Sequence, residues 1–187
     1  MNKINKILIT ISFLGFIPIG LIGPIYAIFV KNIGGDLLEI GITYGIFSII
    51  SGIFVFTVGR LDSFKKRLRQ MVFLGFLILT IAEGCYLVVQ NPWQLFMVQI
   101  LLGIGSGILE PSWDGLFSAN LSEEKAASFW SVWAGARDIA TGLGAILGGV
   151  IVAVFSFKFL FIIMLFFNTA ATLISLQLLM KKNKQNY

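Results

Sequence analysis

Histidine is absent from the 187 residues, cysteine occurs once, and charged residues make up only 12% of the chain. Each shortage excludes something. Without histidine there is no imidazole metal site, no Ser-His or Cys-His nucleophile and no histidine proton relay. The lone Cys85 cannot form an intrachain disulfide and reads as a small packing residue. No GxSxG, zinc-ligand spacing or phosphate-binding loop occurs in the sequence. The chain is therefore not read as an enzyme, and no metal or cofactor is expected. Soluble domains carry about 25% charged residues, so 12% is too little to clothe a water-facing surface.

What the chain has instead is hydrophobic length. Hydrophobic residues make up 57% of it, and the mean hydropathy is +0.92. A bilayer requires about 20 apolar residues per helix. Six stretches meet that need, near 7–30, 40–59, 70–90, 93–117, 128–153 and 157–180. The first is too long for a signal-peptide core and lacks a small-residue cleavage site, so it is read as a retained helix. The expected fold is an all-α membrane protein, one six-helix domain over 1–187. The loops between spans, such as "KNIGGDLLE", "QNP" and "SFK", leave no room for a soluble insertion.

Basic residues in short loops set orientation. With a cytoplasmic N-terminus, the inside carries Lys3, Lys6, Arg60, Lys65, Lys66, Arg67, Arg69, Lys125, Lys181, Lys182 and Lys184. The outside then carries only Lys31 and Lys158. Both termini are expected in the cytoplasm, with the chain in a plasma (inner) membrane. Abundant Lys, Ile and Asn fit a prokaryotic source. The net charge of +5 is a topology and lipid-surface signal, not a nucleic-acid one, because no soluble face exists to hold a duplex.

The sequence also repeats weakly. "GLIGPIYAIF" (20–29) aligns with "GILEPSWDGLF" (107–117) at an offset of 87 residues. Gly20 then meets Gly107, Pro24 meets Pro111, and Tyr26 meets Trp113. The offset joins the first span to the fourth, as two inverted three-helix repeats require. Membrane helices are rich in Gly and Pro, so chance similarity is the competing explanation. Gly41, Gly45, Ser48 and Gly52 form a narrow small-residue face on the second span, and Gly103–Gly107 and Gly144–Gly148 are GxxxG pairs. Small residues let helices approach closely in lipid. With Pro24 and Pro111 they are the expected packing and hinge positions.

A charge near the bilayer centre costs about 2.5–3.5 kcal/mol on insertion scales, so each one calls for an explanation. At the helical rise, Glu110 lies roughly 12 Å from the cytoplasmic end of the fourth span, with Asp114 one turn closer on the same face. Gln99, Gly103 and Gly107 continue that stripe. Arg137 and Asp138 of the fifth span reach roughly 15 Å depth. Arg137 is expected to pair with Glu110, either as a structural lock or as a coupling group. Glu83 stands alone in the third span. Asn168, Thr172 and Ser175 share a face of the sixth, as interhelical hydrogen bonders. Trp93, Trp113, Trp130 and Trp133 lie toward span ends, where interfacial anchoring is the simplest role.

Together these residues resemble the N-terminal half of the major facilitator superfamily. The loop "GRLDSFKKR" is similar to the superfamily's loop motif, with Gly59, Asp62, Lys66 and Arg67 in the glycine, acid and basic positions. "QILLGIGSGILEP" looks like its fourth-helix motif, with Gln99 where many members carry arginine. "GLGAILGG" resembles the fifth-helix motif of its exporters at Gly144, Gly148 and Gly149, with Ala145 in place of proline. Members usually have twelve helices around a cavity between two six-helix halves. The resemblance thus implies a half-size transporter of a small-molecule substrate, paired with a second copy of itself (a homodimer) or another partner half. It implies a rocking-bundle mechanism, Glu110, Asp114, Glu83, Arg137 and Asp138 as substrate or proton-coupling groups, and the loop motif as a cytoplasmic gate. A non-transporting subunit, or a remnant packed against a larger partner, is the alternative.

Overall fold

The computed structural model describes residues 2–61, 67–122, 124 and 126–180. Among them are six helices long and apolar enough to cross a membrane: α1 (Lys3–Asn32), α2 (Leu37–Arg60), α3 (Leu68–Tyr86), α4 (Pro92–Ser118), α5 (Ala126–Val154) and α6 (Phe157–Leu179). Local chemistry sets most boundaries. Asn2 caps α1 through the Ile4 amide. Asp36 and Glu39 close a reciprocal capping box at the start of α2. Asn91 caps α4 ahead of Pro92, which needs no amide partner in the first turn. Ser156 caps α6. The third span ends at Tyr86 rather than 90, because residues 87–91 turn the chain and place the Asn91 cap.

Helix α1 is not continuous. It runs as α-helix over Lys3–Ile22, tightens to a 3-10 turn at Gly23–Ile25 and resumes over Tyr26–Asn32. Pro24 lacks an amide hydrogen, so the α ladder cannot pass through it intact. Its repeat counterpart Pro111 leaves α4 helical throughout, so the two prolines are not equivalent hinges.

The packing is interleaved. Helix α1 lies against α5 and α6, while α4 lies against α2 and α3, and α3 meets α6. Exchanging the first three helices for the last three swaps the α1 pairs with the α4 pairs and maps the α3–α6 pair onto itself. The glycine contacts sharpen the match. A Cβ on Gly20 would run into the Thr141 backbone, and one on Gly107 would strike Phe54. Phe54 moved by the offset of 87 is position 141, so the two crossings are the same contact seen twice. Gly144 and Gly148 complete the α1–α5 seam against Ile17 and Leu21, and Gly103 completes the α4–α2 seam against Phe47 and Ile50. Five glycines thus serve close backbone approach.

The small face of α2 behaves differently. Gly41, Gly45 and Gly52 have nothing within contact distance of where a Cβ would stand. That face finds no partner among the described residues, contrary to a packing role within the chain. Two apolar clusters fill the bundle. One surrounds Leu8, Phe76, Trp113 and Phe117 at the end holding the N-terminus. The other surrounds Phe29, Tyr86 and Phe161 at the opposite end.

Candidate functional site

Between the two clusters lies a cavity of about 290 Å³, bounded by residues of α1, α2, α3, α4 and α6. Its polar groups converge from five helices. Gln99 of α4 donates to the Tyr26 hydroxyl of α1 at 2.7 Å and to the Tyr86 hydroxyl of α3 at 3.2 Å. Thr43 of α2 is a further hydrogen-bonding neighbour of Tyr26. Deeper in, Glu83 of α3 is only 5% exposed and Asn168 of α6 only 3%. The Asn168 side chain stands beside the Glu83 carboxyl. Yet Glu83 Oε2 and Asn168 Oδ1 are both buried without a hydrogen-bond partner. Below them Thr80 and Thr172 share a hydrogen bond at 2.8 Å, and Ser175 donates to the Thr172 carbonyl at 2.6 Å.

The other expected site residues stand elsewhere. Glu110 is exposed and Asp114 half-buried on α4, and neither lines the cavity. The expected Glu110–Arg137 pair is not formed. Arg137 instead bonds its own neighbour Asp138, Nε to Oδ1 at 2.9 Å, with side chains 40% and 71% exposed. Its guanidinium also sits 5.0 Å from the Trp133 ring centre. The reason is helix order. Helices α4 and α5 are consecutive in sequence but have no extended seam, because α1 holds α5 and α2 and α3 hold α4. They touch through aromatic side chains, Trp113 and Phe117 against Trp130 and Trp133. Trp113 is accordingly no interfacial anchor: it is buried, and its indole donates to the Leu8 carbonyl at 3.2 Å. Trp93 does lie exposed near the start of α4.

The stripe read along α4 therefore divides. Gln99 belongs to the cavity, Gly103 and Gly107 to the α2 seam, and Glu110 and Asp114 to an open face. Of the loop motif, Gly59 ends α2 with open space around it, and Arg67 precedes α3. Asp62 and Lys66 lie outside the described residues.

The Major Facilitator Superfamily sequence model matches residues 8–186. The chain belongs to that superfamily. It is 27% identical over 145 residues to the multidrug resistance protein MdtG of Salmonella typhimurium, covering 76% of this chain and 36% of that protein. Against MdtG of Serratia proteamaculans it is 27% identical over 150 residues, with 78% and 36% covered. An uncharacterized MFS-type transporter of Methanocaldococcus jannaschii is 24% identical over 192 residues, 99% of this chain and 50% of its own length. The chain thus spans between about a third and a half of the relatives it matches. Membership makes it a multi-pass membrane protein of a transporter family, one that is not enzymatic.

Asn168 as the partner of Glu83 was beyond reach in a span-by-span reading. The repeat carried a signal for it. Helices α3 and α6 exchange under the offset of 87, so residues separated by about that number face each other where the two helices cross. Glu83 and Asn168 are 85 apart, and Thr80 and Thr172 are 92 apart.

Proposed function

We propose that this chain is one half of a secondary active transporter. Two copies related by a two-fold axis along the membrane normal enclose a central cavity and move a small solute by rocking. The observation that carries this reading is the open face. Glu110 and Asp138 are exposed, and Asp114 and Arg137 half-exposed, all within helices that cross the membrane. The bare glycines of α2 and α5 extend the same kind of surface. Lipid is a poor neighbour for such groups, whereas a second bundle with water between the halves suits them. Both termini lie in the cytoplasm, with the chain in the plasma membrane, and Glu110 with Asp114 couples transport to protons. Two of the three named relatives are multidrug resistance proteins, which favours a small organic solute.

The test is mass in lipid nanodiscs, with crosslinking in native membranes. A dimer is expected. A chain that stays single in lipid overturns the homodimer and favours the second reading, a subunit that packs against a larger partner. That reading draws on the chain covering at most half of its matched relatives. In a transporting dimer, Glu110→Gln is expected to slow proton-driven flux about tenfold or more. Wild-type flux from a folded Glu110→Gln protein ends the coupling role.

A further inference from the structure

We propose that the cavity inside the bundle is a binding site for a small organic ammonium ion, complete within one chain. The residues that border it belong to α1, α2, α3, α4 and α6.

Two acceptors define the site. Glu83 Oε2 and Asn168 Oδ1 both lack a hydrogen-bond partner, and both residues border the same space. A buried acceptor left without a donor is unfavourable, because it has given up its water without a replacement. Gln99 gives its amide hydrogens to Tyr26 and Tyr86, and no other donor among the described residues comes within hydrogen-bond distance of either oxygen. Among the described residues no lysine or arginine borders the cavity, so none of them neutralises a carboxylate there. A ligand carrying N–H donors and one positive charge satisfies both oxygens and the charge at once.

The rest of the wall selects the body of that ligand. Tyr26, Tyr44, Phe47 and Tyr86 give the wall an aromatic character that suits a cation or an aryl group. Leu79 and Met164 are apolar. A bare calcium ion would require six to eight oxygens converging on one point, whereas of the wall's oxygens Glu83 Oε2 and Asn168 Oδ1 are the two buried without a partner. At about 290 Å³ the space lies at the small end of ligand pockets, which fits a single-ring amine. Its mouth is formed by Ile19 and Gly23 of α1 and Tyr44 of α2. Ile19 and Tyr44 are exposed, and Gly23 has open space where a side chain would stand. The 3-10 turn at Gly23–Ile25 parts α1 at that opening.

The experiment is equilibrium binding of radiolabelled phenethylamine to the full chain in nanodiscs. Neutral 2-phenylethanol and anionic 3-phenylpropionate serve as competitors of similar size. One saturable amine site per chain is expected, displaced by neither competitor, with Glu83→Gln and Asn168→Leu each weakening binding about tenfold. Displacement by the alcohol as effective as by unlabelled amine would show an apolar cleft without charge recognition and overturn the proposal. So would the absence of saturable binding at millimolar amine. If Glu83→Gln does not fold, Glu83→Asp and the mouth variant Tyr44→Ala take its place. Unchanged affinity in both, in monodisperse protein, also overturns it. Because binding is read without flux and per chain, its failure leaves the paired-half transporter standing, and a failed dimer leaves this site standing.

Discussion

Helix α5 uses glycine in two opposite ways. On one side Gly144 and Gly148 sit so close to Ile17 and Leu21 of α1 that a single added carbon would overlap backbone. On the other, Gly135, Gly142 and Gly149 have nothing near the place a Cβ would occupy. Helix α2 repeats the division, lending Phe47 and Ser51 carbonyls to the α4 seam while Gly41, Gly45 and Gly52 stay bare. The lesson is that a small residue in a membrane helix marks room for a neighbour without saying whether the neighbour is in the same chain. The seam glycines have theirs. The bare ones find none among the described residues.

The largest effect should come from filling the seam. Gly20→Leu forces α1 away from the Thr141 backbone and is expected to cost at least about 3 kcal/mol, the upper end of overpacking penalties. Thermal unfolding in detergent reads it. Gly107→Leu is expected to cost a similar amount, since it strikes Phe54 and the Ser51 carbonyl at the equivalent crossing. A difference of more than about 2 kcal/mol between the two would falsify the equivalence of the seams. Filling the bare side separates fold from assembly. Gly142→Leu should leave unfolding within about 0.5 kcal/mol of the parent, yet reduce the dimer fraction seen in nanodiscs. An unchanged dimer would mean that this face meets lipid.

The smallest effect lies at the rim of α2. The hydrogen bond with the Glu39 side chain, then those from the Leu38 and Glu39 amides, hold the Asp36 carboxyl below its ordinary value. A depressed acid stabilises the fold above its unfolded value, near pH 4, and that contribution is lost as pH falls through the folded one. Asp36→Ala should therefore lower the unfolding temperature modestly at neutral pH and converge on the parent in acid. A gap that is constant with pH would assign the loss to helix propensity rather than to the cap.

How much of this the sequence disclosed depends on the length scale of each interaction. Span positions follow from hydropathy along the chain, so all six appear within a few residues of where the helices lie. Caps such as Asn91 and Ser156 are likewise local. The offset from Gly20 to Gly107 was visible because glycine is rare enough in aligned company to register. Which helix faces which was not visible. Arg137 was matched to Glu110 by depth alone, although depth places two groups at one height without placing them side by side. Its true partner was the next residue, a contact that rotation about the side chain allows and helix geometry does not forbid. Glu83 attracted notice as a solitary charge, but its surroundings come from Asn168 and Tyr86, which no single-helix pattern connects.

The interleaving also has a consequence for how the protein is made. Helix α1 ends at Asn32 and its seam partner α5 begins at Ala126. At about 5–20 residues per second, that leaves roughly 5–20 s of synthesis during which the Gly20 groove faces lipid or the insertion machinery. The first three helices cannot finish folding as a unit, because their main contacts belong to helices not yet translated. Assembly of the bundle must then be a late event, and any pause before α5 prolongs the period in which a quality-control protease meets an open groove.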